Sequence, residues 1–264
     1  MRKMVVFLGI LVLFGCEVRE ETSDKLTELF RNLDSEGSKV SVYQSWASAQ
    51  QLPLIEKGKI TFVLWDEKAE KVILESPLVK NKDKKLQMKR YKNTGLFYVS
   101  LALANEEIVD YSFIRFGSQS PNGRRIQDPH HPFIAYTKPI RSRVIMPGVK
   151  KGQLIISRIE PQNGLAARRI FIYLPSDYNL TTNRYPVIYM QDGQNLWDSP
   201  QANFGGWKVD TTLDRLIAQG KIDPVIVVGI ENSSARAEEY VGFSAYYLCR
   251  FLCLLPMERT VSYQ

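Results

Sequence analysis

Histidine is nearly absent from this chain: its 264 residues hold two, His130 and His131, side by side in Asp128-Pro129-His130-His131-Pro132. A catalytic or metal-binding role needs further ligands or a nucleophile nearby, and the flanking sequence offers neither. The two prolines point instead to a rigid turn. Cysteine is scarce too, at three residues. Cys249 and Cys253 stand four apart, a spacing that on a helix seldom has disulfide geometry, and no other soft ligand lies close to them. No metal site and no cofactor is expected. Excess charge is also limited. The net charge is +7, and two of those charges, Arg2 and Lys3, lie in a segment expected to be removed. Most of the remainder falls within residues 80–92, where Lys80, Lys82, Lys84, Lys85, Lys89, Arg90 and Lys92 face one acid, Asp83. Without interleaved stacking aromatics this reads as a solvated face, so no nucleic-acid partner is expected.

What is present suffices for real cores. With 44% hydrophobic and 11% aromatic residues, global disorder is excluded, and the length suits about two domains. The most specific local signal is N-terminal. Residues 1–3 carry positive charge, and residues 4–14 form an apolar run too short to span a bilayer comfortably. Leu13, Phe14, Gly15 and Cys16 then resemble the lipobox of bacterial lipoproteins. That resemblance implies a signal peptide over 1–15, lipid attachment at Cys16, and a chain held to a membrane of the cell envelope.

Downstream, residues 16–53 read as a tether with a short helix. Ser23 and Asp24 offer caps, Leu26, Leu29, Phe30 and Leu33 share one helical face, and Gly37 stops it. Residues 40–51, rich in Ser, Ala and Gln, read as a linker or packing segment. From 54 to 145 the pattern turns to short runs of β-branched and aromatic residues, at 60–65, 71–74, 86–89, 96–101 and 109–116, parted by polar turns such as Asn93-Thr94-Gly95. This predicts a small antiparallel sandwich. The stretches PLIEKGKITFVLW, GLFYVSLAL and RIQDPHHPF resemble the immunoglobulin-like domain that precedes the catalytic domain of many carbohydrate-active enzymes and enterochelin-esterase-like proteins. In those relatives the domain packs on the catalytic one and sometimes contacts sugar. Trp65, Phe97 and Tyr111 are candidate sugar platforms, although aromatics at strand positions are more often core.

A second domain is expected over 146–240. Residues 153–159 and 168–174 read as strands. Residues 187–190, Val-Ile-Tyr-Met, form a near-continuous apolar run that breaks into Asp192-Gly193-Gln194-Asn195, a strand end of the kind where α/β sheets place ligands. A helix follows Phe204-Gly205-Gly206-Trp207, with Val209, Leu213, Leu216 and Ile217 on one face. Residues 225–230 are again a fully apolar strand, completing a βαβ unit. The stretches RRIFIYLPSDY, RYPVIYMQDGQNLWD and FGGWKVDTTLDRLIAQGKIDPVIVVGIENSSARAEEY are similar to the start of the catalytic domain in the esterase D and enterochelin-esterase-like branch of the α/β-hydrolases. The resemblance covers about residues 150–240.

That resemblance implies the following. The expected fold class is α/β, an incomplete α/β-hydrolase, preceded by a small all-β immunoglobulin-like sandwich. The expected chemistry is hydrolysis of carboxylic esters, of acylated sugars or siderophores, by a Ser-His-acid triad without metal. The turn at Gly193 occupies the place of half an oxyanion hole, with the main-chain N–H of Gln194 as donor. One such donor is worth ~3 kcal/mol of transition-state stabilisation. Asp192, Asn195 and Trp207 are expected at the substrate, and Asp210 near its groove or packed at the helix entry. Arg236, Glu238 and Glu239 read as a solvated loop.

The rest of that chemistry is missing. The fold family needs a nucleophile on a G-x-S-x-G elbow, then an acid and a histidine. Here the nearest stretch, Gly242-Phe243-Ser244-Ala245-Tyr246, lacks the second glycine, and no histidine follows His131. Residues 241–264 cease to track the family, which leads us to expect a frameshift or early stop, with a divergent but genuine C-terminus as the alternative, and an inactive chain with strand 225–230 left as an unpaired edge. Two other readings stay open: an envelope module that binds glycan through the sandwich, and an esterase completed by another chain. The expected partners are therefore an ester or glycan substrate and a membrane reached through the lipid.

Overall fold

A computed structural model describes residues 23–35, 37–161, 166–202 and 205–240. The signal segment 1–15, Cys16, Phe204, Ser244, Cys249, Cys253 and the rest of 241–264 lie outside the described residues.

The chain opens with helix α1 (Asp24–Asp34), capped by Ser23, whose Oγ accepts the Leu26 N–H at 3.3 Å. Helix α2 (Lys39–Ser48) follows where a linker or packing segment was expected. Its apolar stripe is short, Tyr43, Trp46 and Ala47 among serines, so periodicity alone did not reveal it. Both helices bury their stripes with Leu52, Leu54, Val63 and Leu96.

Val63 and Leu96 belong to a first sheet. It is built from β1 (Leu54–Glu56), β2 (Lys59–Trp65), β5 (Lys89–Arg90) and β6 (Leu96–Ala102) in the order β1-β2-β6-β5. A second sheet holds β3 (Lys71–Glu75), β4 (Lys85–Gln87), β7 (Ile108–Gly117), β8 (Ser120–Ile126), β9 (Ile134–Ala135) and β10 (Arg141–Ile145). Its order is β4-β3-β7-β10-β9, with β8 also on β7. Ile60, Phe62, Leu64, Phe97 and Val99 of the first sheet share one core with Val72, Leu74, Tyr111, Phe113 and Val144 of the second. Strand β2 is thus buried on both faces, between helices and sheet, which explains its continuous apolar sequence. The run read as one strand over 86–89 splits between sheets: Met88 is buried, and its N–H donates to Val72 O at 2.9 Å between β4 and β5.

The third sheet contains β11 (Gln153–Ile159), β12 (Arg168–Leu174), β13 (Val187–Met190) and β14 (Ile226–Ile230), in the order β11-β12-β14-β13. Helix α3 (Val209–Ala218) crosses between β13 and β14, and a short helix α4 (Arg236–Tyr240) follows. Phe171, Tyr173, Val227, Leu196, Trp197 and Leu213 form its core, joined by Ile134 and Tyr136.

This architecture corrects the expected fold class of an α/β, incomplete α/β-hydrolase domain behind an immunoglobulin-like sandwich. The described chain is sheet-rich throughout: three sheets and few helices. In the third sheet β11–β12 and β12–β14 are antiparallel, and only β13–β14 is parallel. An α/β class requires repeated strand–helix–strand units with parallel pairing. One such unit occurs among the described residues, and the sequence reading extended it to a whole domain. A second correction follows from strand order. Residues 226–230, expected at an open edge, lie between β12 and β13. Among the described residues the edge strands of this sheet are β11 and β13, and Ile188 of β13 is 45% exposed.

The paired histidines sit in packing contacts. The ring nitrogens of His131 lie 2.9 Å from Leu52 O and 2.6 Å from Arg143 O, and the His130 ring meets Tyr43 edge-on. Asp128 holds the turn from within. It accepts the buried Tyr111 hydroxyl at 2.8 Å and the His130 N–H at 2.8 Å, and burial pushes its carboxyl above the ordinary range. Phe97 and Tyr111 are buried, and Trp65 stacks on Tyr43.

Candidate functional site

The candidate site is the turn that leaves β13. It begins at Asp192, which adopts φ 55° and ψ 43°, a left-handed conformation that costs most side chains energy but that Asp and Asn tolerate best after glycine. Its carboxylate is held from several sides. Arg236 donates through Nε at 2.8 Å and Nη2 at 2.6 Å, Asn232 through Nδ2 at 2.6 Å, and Tyr240 through Oη at 3.2 Å. The Asp192 N–H in turn donates to Tyr240 Oη at 3.3 Å. The Arg236 fork beside it is the main reason the Asp192 carboxyl titrates at about 2, well below its ordinary 3.8.

Gly193 comes next and packs main chain on main chain. A β-carbon there would lie 2.5 Å from Gly229 C, 2.7 Å from Gly229 O and 2.8 Å from Ile230 N. Only glycine lets the turn settle on β14 this closely. Gln194 is buried, and its side-chain Oε1 accepts the Asn232 N–H at 3.3 Å. Among the described residues its main-chain N–H meets no acceptor. Asn195 N donates to Asp192 O at 2.8 Å, closing a 3-10 turn over Gly193–Asn195.

The turn is then laced to the entrance of α3. Trp207 N donates to Asn195 O at 2.9 Å and Val209 N to Leu196 O at 2.8 Å. Gly206 lies so close that a β-carbon would meet Trp197 O at 1.9 Å. Leu196 and Trp197 anchor the far side in the core, Trp197 with its ring 6.2 Å from Phe171. Beyond them Ser199 Oγ donates to Tyr136 O and Gln201 Nε2 to Thr137 O, tying the loop to the segment that leaves the sandwich.

The structure thus brings Asp192, Gly193, Gln194, Asn195 and Trp207 into one connected loop pair. It commits the Asp192 carboxylate to the chain itself, buries the turn, and leaves Trp207 57% exposed at its rim. Asp210, at the start of α3, accepts the Asp198 N–H at 3.1 Å, and burial raises its carboxyl above the ordinary range. It lines a cavity of about 50 Å³ with Arg143, Lys151, Tyr173, Trp197 and Asp214, apart from Gly193 and Gln194. Sequence reading missed Asn232, Arg236, Tyr240 and Gly229 as parts of the site. The signal was a charged, polar stretch forty residues on, which nothing local linked to Asp192. Among the described residues no group of acidic, His or Cys side chains is placed to hold a metal, and no helix is long and apolar enough to cross a membrane.

Comparison with known proteins finds a family match over this segment. Residues 166–249, which contain the whole turn, match the family described as "Putative esterase". The matched residues make up about a third of the chain. No curated protein matches the sequence. Among solved structures, the chain is similar to the enterobactin esterase of Shigella flexneri, solved in the presence of enterobactin. The identity is 17%, 81% of this chain and 64% of that one are covered, and the TM-score is 0.39. The ferric enterobactin esterase of Salmonella typhimurium is similar at 17% identity, with 78% and 63% covered and a TM-score of 0.37. A pullulanase of Klebsiella pneumoniae in complex with maltotriose is similar at 17% identity over 38% of this chain and 10% of that one, with a TM-score of 0.30. The chain therefore spans less than two thirds of the length of the enterobactin esterases it resembles.

Proposed function

We propose that the C-terminal segment of this chain is of the serine carboxylic-ester hydrolase kind, directed at acylated sugars or siderophore-like esters, and that the chain by itself hydrolyses no ester. The observation that carries this reading is the Gln194 main-chain N–H, on a turn held by Gly193 against Gly229 and by Asp192 against Arg236, within the esterase-matching residues. A donor fixed before reaction and without a competing acceptor suits the developing oxyanion of a tetrahedral intermediate. A nucleophile is what the sequence does not supply: it has no G-x-S-x-G elbow and no histidine after His131.

The test is turnover of nitrophenyl esters by the purified full chain. The expected rate equals that of a heat-denatured control, and hydrolysis above that control would overturn the inactivity.

The same reading anchors the chain to the cell envelope through lipid on Cys16, supported by the residues Leu13, Phe14, Gly15 and Cys16. A Cys16→Ser chain is expected to move from the membrane to the soluble fraction on cell fractionation. Continued sedimentation with membranes would sink the lipid assignment.

A further inference from the structure

We propose that the outer face of the second sheet, where β4, β3, β7 and β8 lie side by side, docks on an anionic phospholipid membrane. Side chains alternate across a strand, and residues opposite one another in a ladder share a face. Val72, Leu74 and Phe113 fill the sandwich core. Lys71, Ile73 and Glu75 of β3 therefore point away from it, with Lys71 opposite Phe116 and Ile73 opposite Ile114 of β7. Lys85 of β4 lies opposite Glu75, and Arg125 of β8 opposite Ile114.

This face carries surplus positive charge. Glu75 is buried, and its Oε2 accepts from Arg125 through Nε at 3.1 Å and Nη2 at 2.5 Å. Arg141 Nη2 stands 3.5 Å and Lys85 Nζ 3.9 Å from the same carboxylate. Three cations thus share one acid, and Lys71 adds a fourth, its Nζ 4.2 Å from the centre of the Phe116 ring. The side chains of Lys85 and Arg125 are 43% and 34% exposed, so their charge reaches solvent. The connection into β4 adds Lys80, Lys82 and Lys84, all exposed, against Asp83.

Between the cations the surface is apolar. Ile73, Ile114 and Phe116 are half-buried and belong to none of the three apolar clusters. Aliphatic and aromatic groups set among Lys and Arg suit the headgroup boundary of a bilayer, where the former enter the acyl margin and the latter meet anionic headgroups. Size argues against a protein partner. The face is about 14 Å across at ~4.8 Å per strand and about 14 Å along β3 at ~3.4 Å per residue, roughly 200 Å². A stable protein interface takes about 800 Å² from each partner. Attraction to an anionic bilayer needs no such area, since each cation near the surface contributes separately. Nucleic acid is disfavoured because Lys71 sits over the Phe116 ring, which is therefore not open to a base. This contact does not require lipid on Cys16, and its test reads the face directly.

Lysine acylation of the full chain, followed by mass spectrometry, tests it with vesicles of phosphatidylcholine alone or with a third of phosphatidylglycerol. On the anionic vesicles, labelling of Lys71 and Lys85 is expected to slow about fivefold or more, and to recover in about 1 M salt, where charge is screened within ~3 Å. Phosphatidylcholine alone is expected to change neither. Lys150 and Lys221, exposed outside this sheet, should keep their rates throughout. Unchanged labelling of Lys71 and Lys85, or equal slowing at all four lysines, would overturn the proposal. Slowing by polyglutamate but not by vesicles would also overturn it and give the face to an acidic protein.

Discussion

Replacing Gly193 by alanine is expected to lower the unfolding free energy by about 2 to 3 kcal/mol, the upper range for forcing a group into a filled site. The new β-carbon would lie 2.5 Å from the main-chain carbon of Gly229. Its neighbours are the backbone of β14, an interior strand paired on both sides, so no side chain can swing away. The turn must lift off the sheet, and the Gln194 N–H moves with it. Urea denaturation of Gly193→Ala beside Gln191→Ala measures this. Gln191 is exposed, and its replacement is expected to stay within ~0.5 kcal/mol of the parent. If both variants unfold at the parent midpoint, the close packing of the turn on β14 is wrong.

Asp192→Asn is expected to remove a pH dependence as well as stability. The carboxyl titrates at about 2 in the folded chain against an ordinary 3.8, so the folded state favours the ionised form. Its contribution is fully present above pH ~4 and is lost as pH falls through about 2. At 1.36 kcal/mol per unit the shift corresponds to at most about 2 kcal/mol. The Arg236 side chain is 53% exposed, so screening brings the expected value nearer 1 kcal/mol. Asparagine tolerates the left-handed backbone, which isolates the charge from the conformation. The parent should lose stability relative to Asp192→Asn between pH 4 and pH 2 and converge with it below. Parallel profiles over that range would mean that the Arg236 fork contributes nothing to folding.

The two substitutions probe different sources of one geometry. Gly193 sets how near the turn can come to β14, and Asp192 sets which way it faces. Their variants need not be additive, because the residues are adjacent and share the Gly229 to Arg236 stretch as a partner. Neither readout requires catalysis, so both are informative whether or not the chain turns over an ester.

Local elements were legible because their signals are local. Strands β11, β12 and β13 fall where alternation and apolar runs place them. Helix α1 starts at the Ser23 cap because the Ser23 hydroxyl can reach the Leu26 N–H three residues on. The glycine-bearing turn at Asp192-Gly193-Gln194 was also legible, as a strand end breaking into polar residues. Helix α2 was not, because its stripe is too narrow to stand out from serine and glutamine.

Other features were decided by contacts that no short stretch encodes. The order β11-β12-β14-β13 makes β14 interior and β13 an edge, and β12 pairs antiparallel where the sequence suggested continued α/β repetition. Hydrophobic pattern says that a strand is buried on both faces but not which strands flank it. The clamp on Asp192 is likewise tertiary. Asn232, Arg236 and Tyr240 converge on it only because β14 lies beside β13 and delivers the following residues to its carboxyl end. By itself the sequence determined helix α1, strands β11, β12 and β13 and the turn after β13, and it carries no G-x-S-x-G motif. The tertiary structure decided the sheet order, the counter-charge on Asp192 and the glycine contact that orients Gln194, because those depend on distances between residues some forty positions apart.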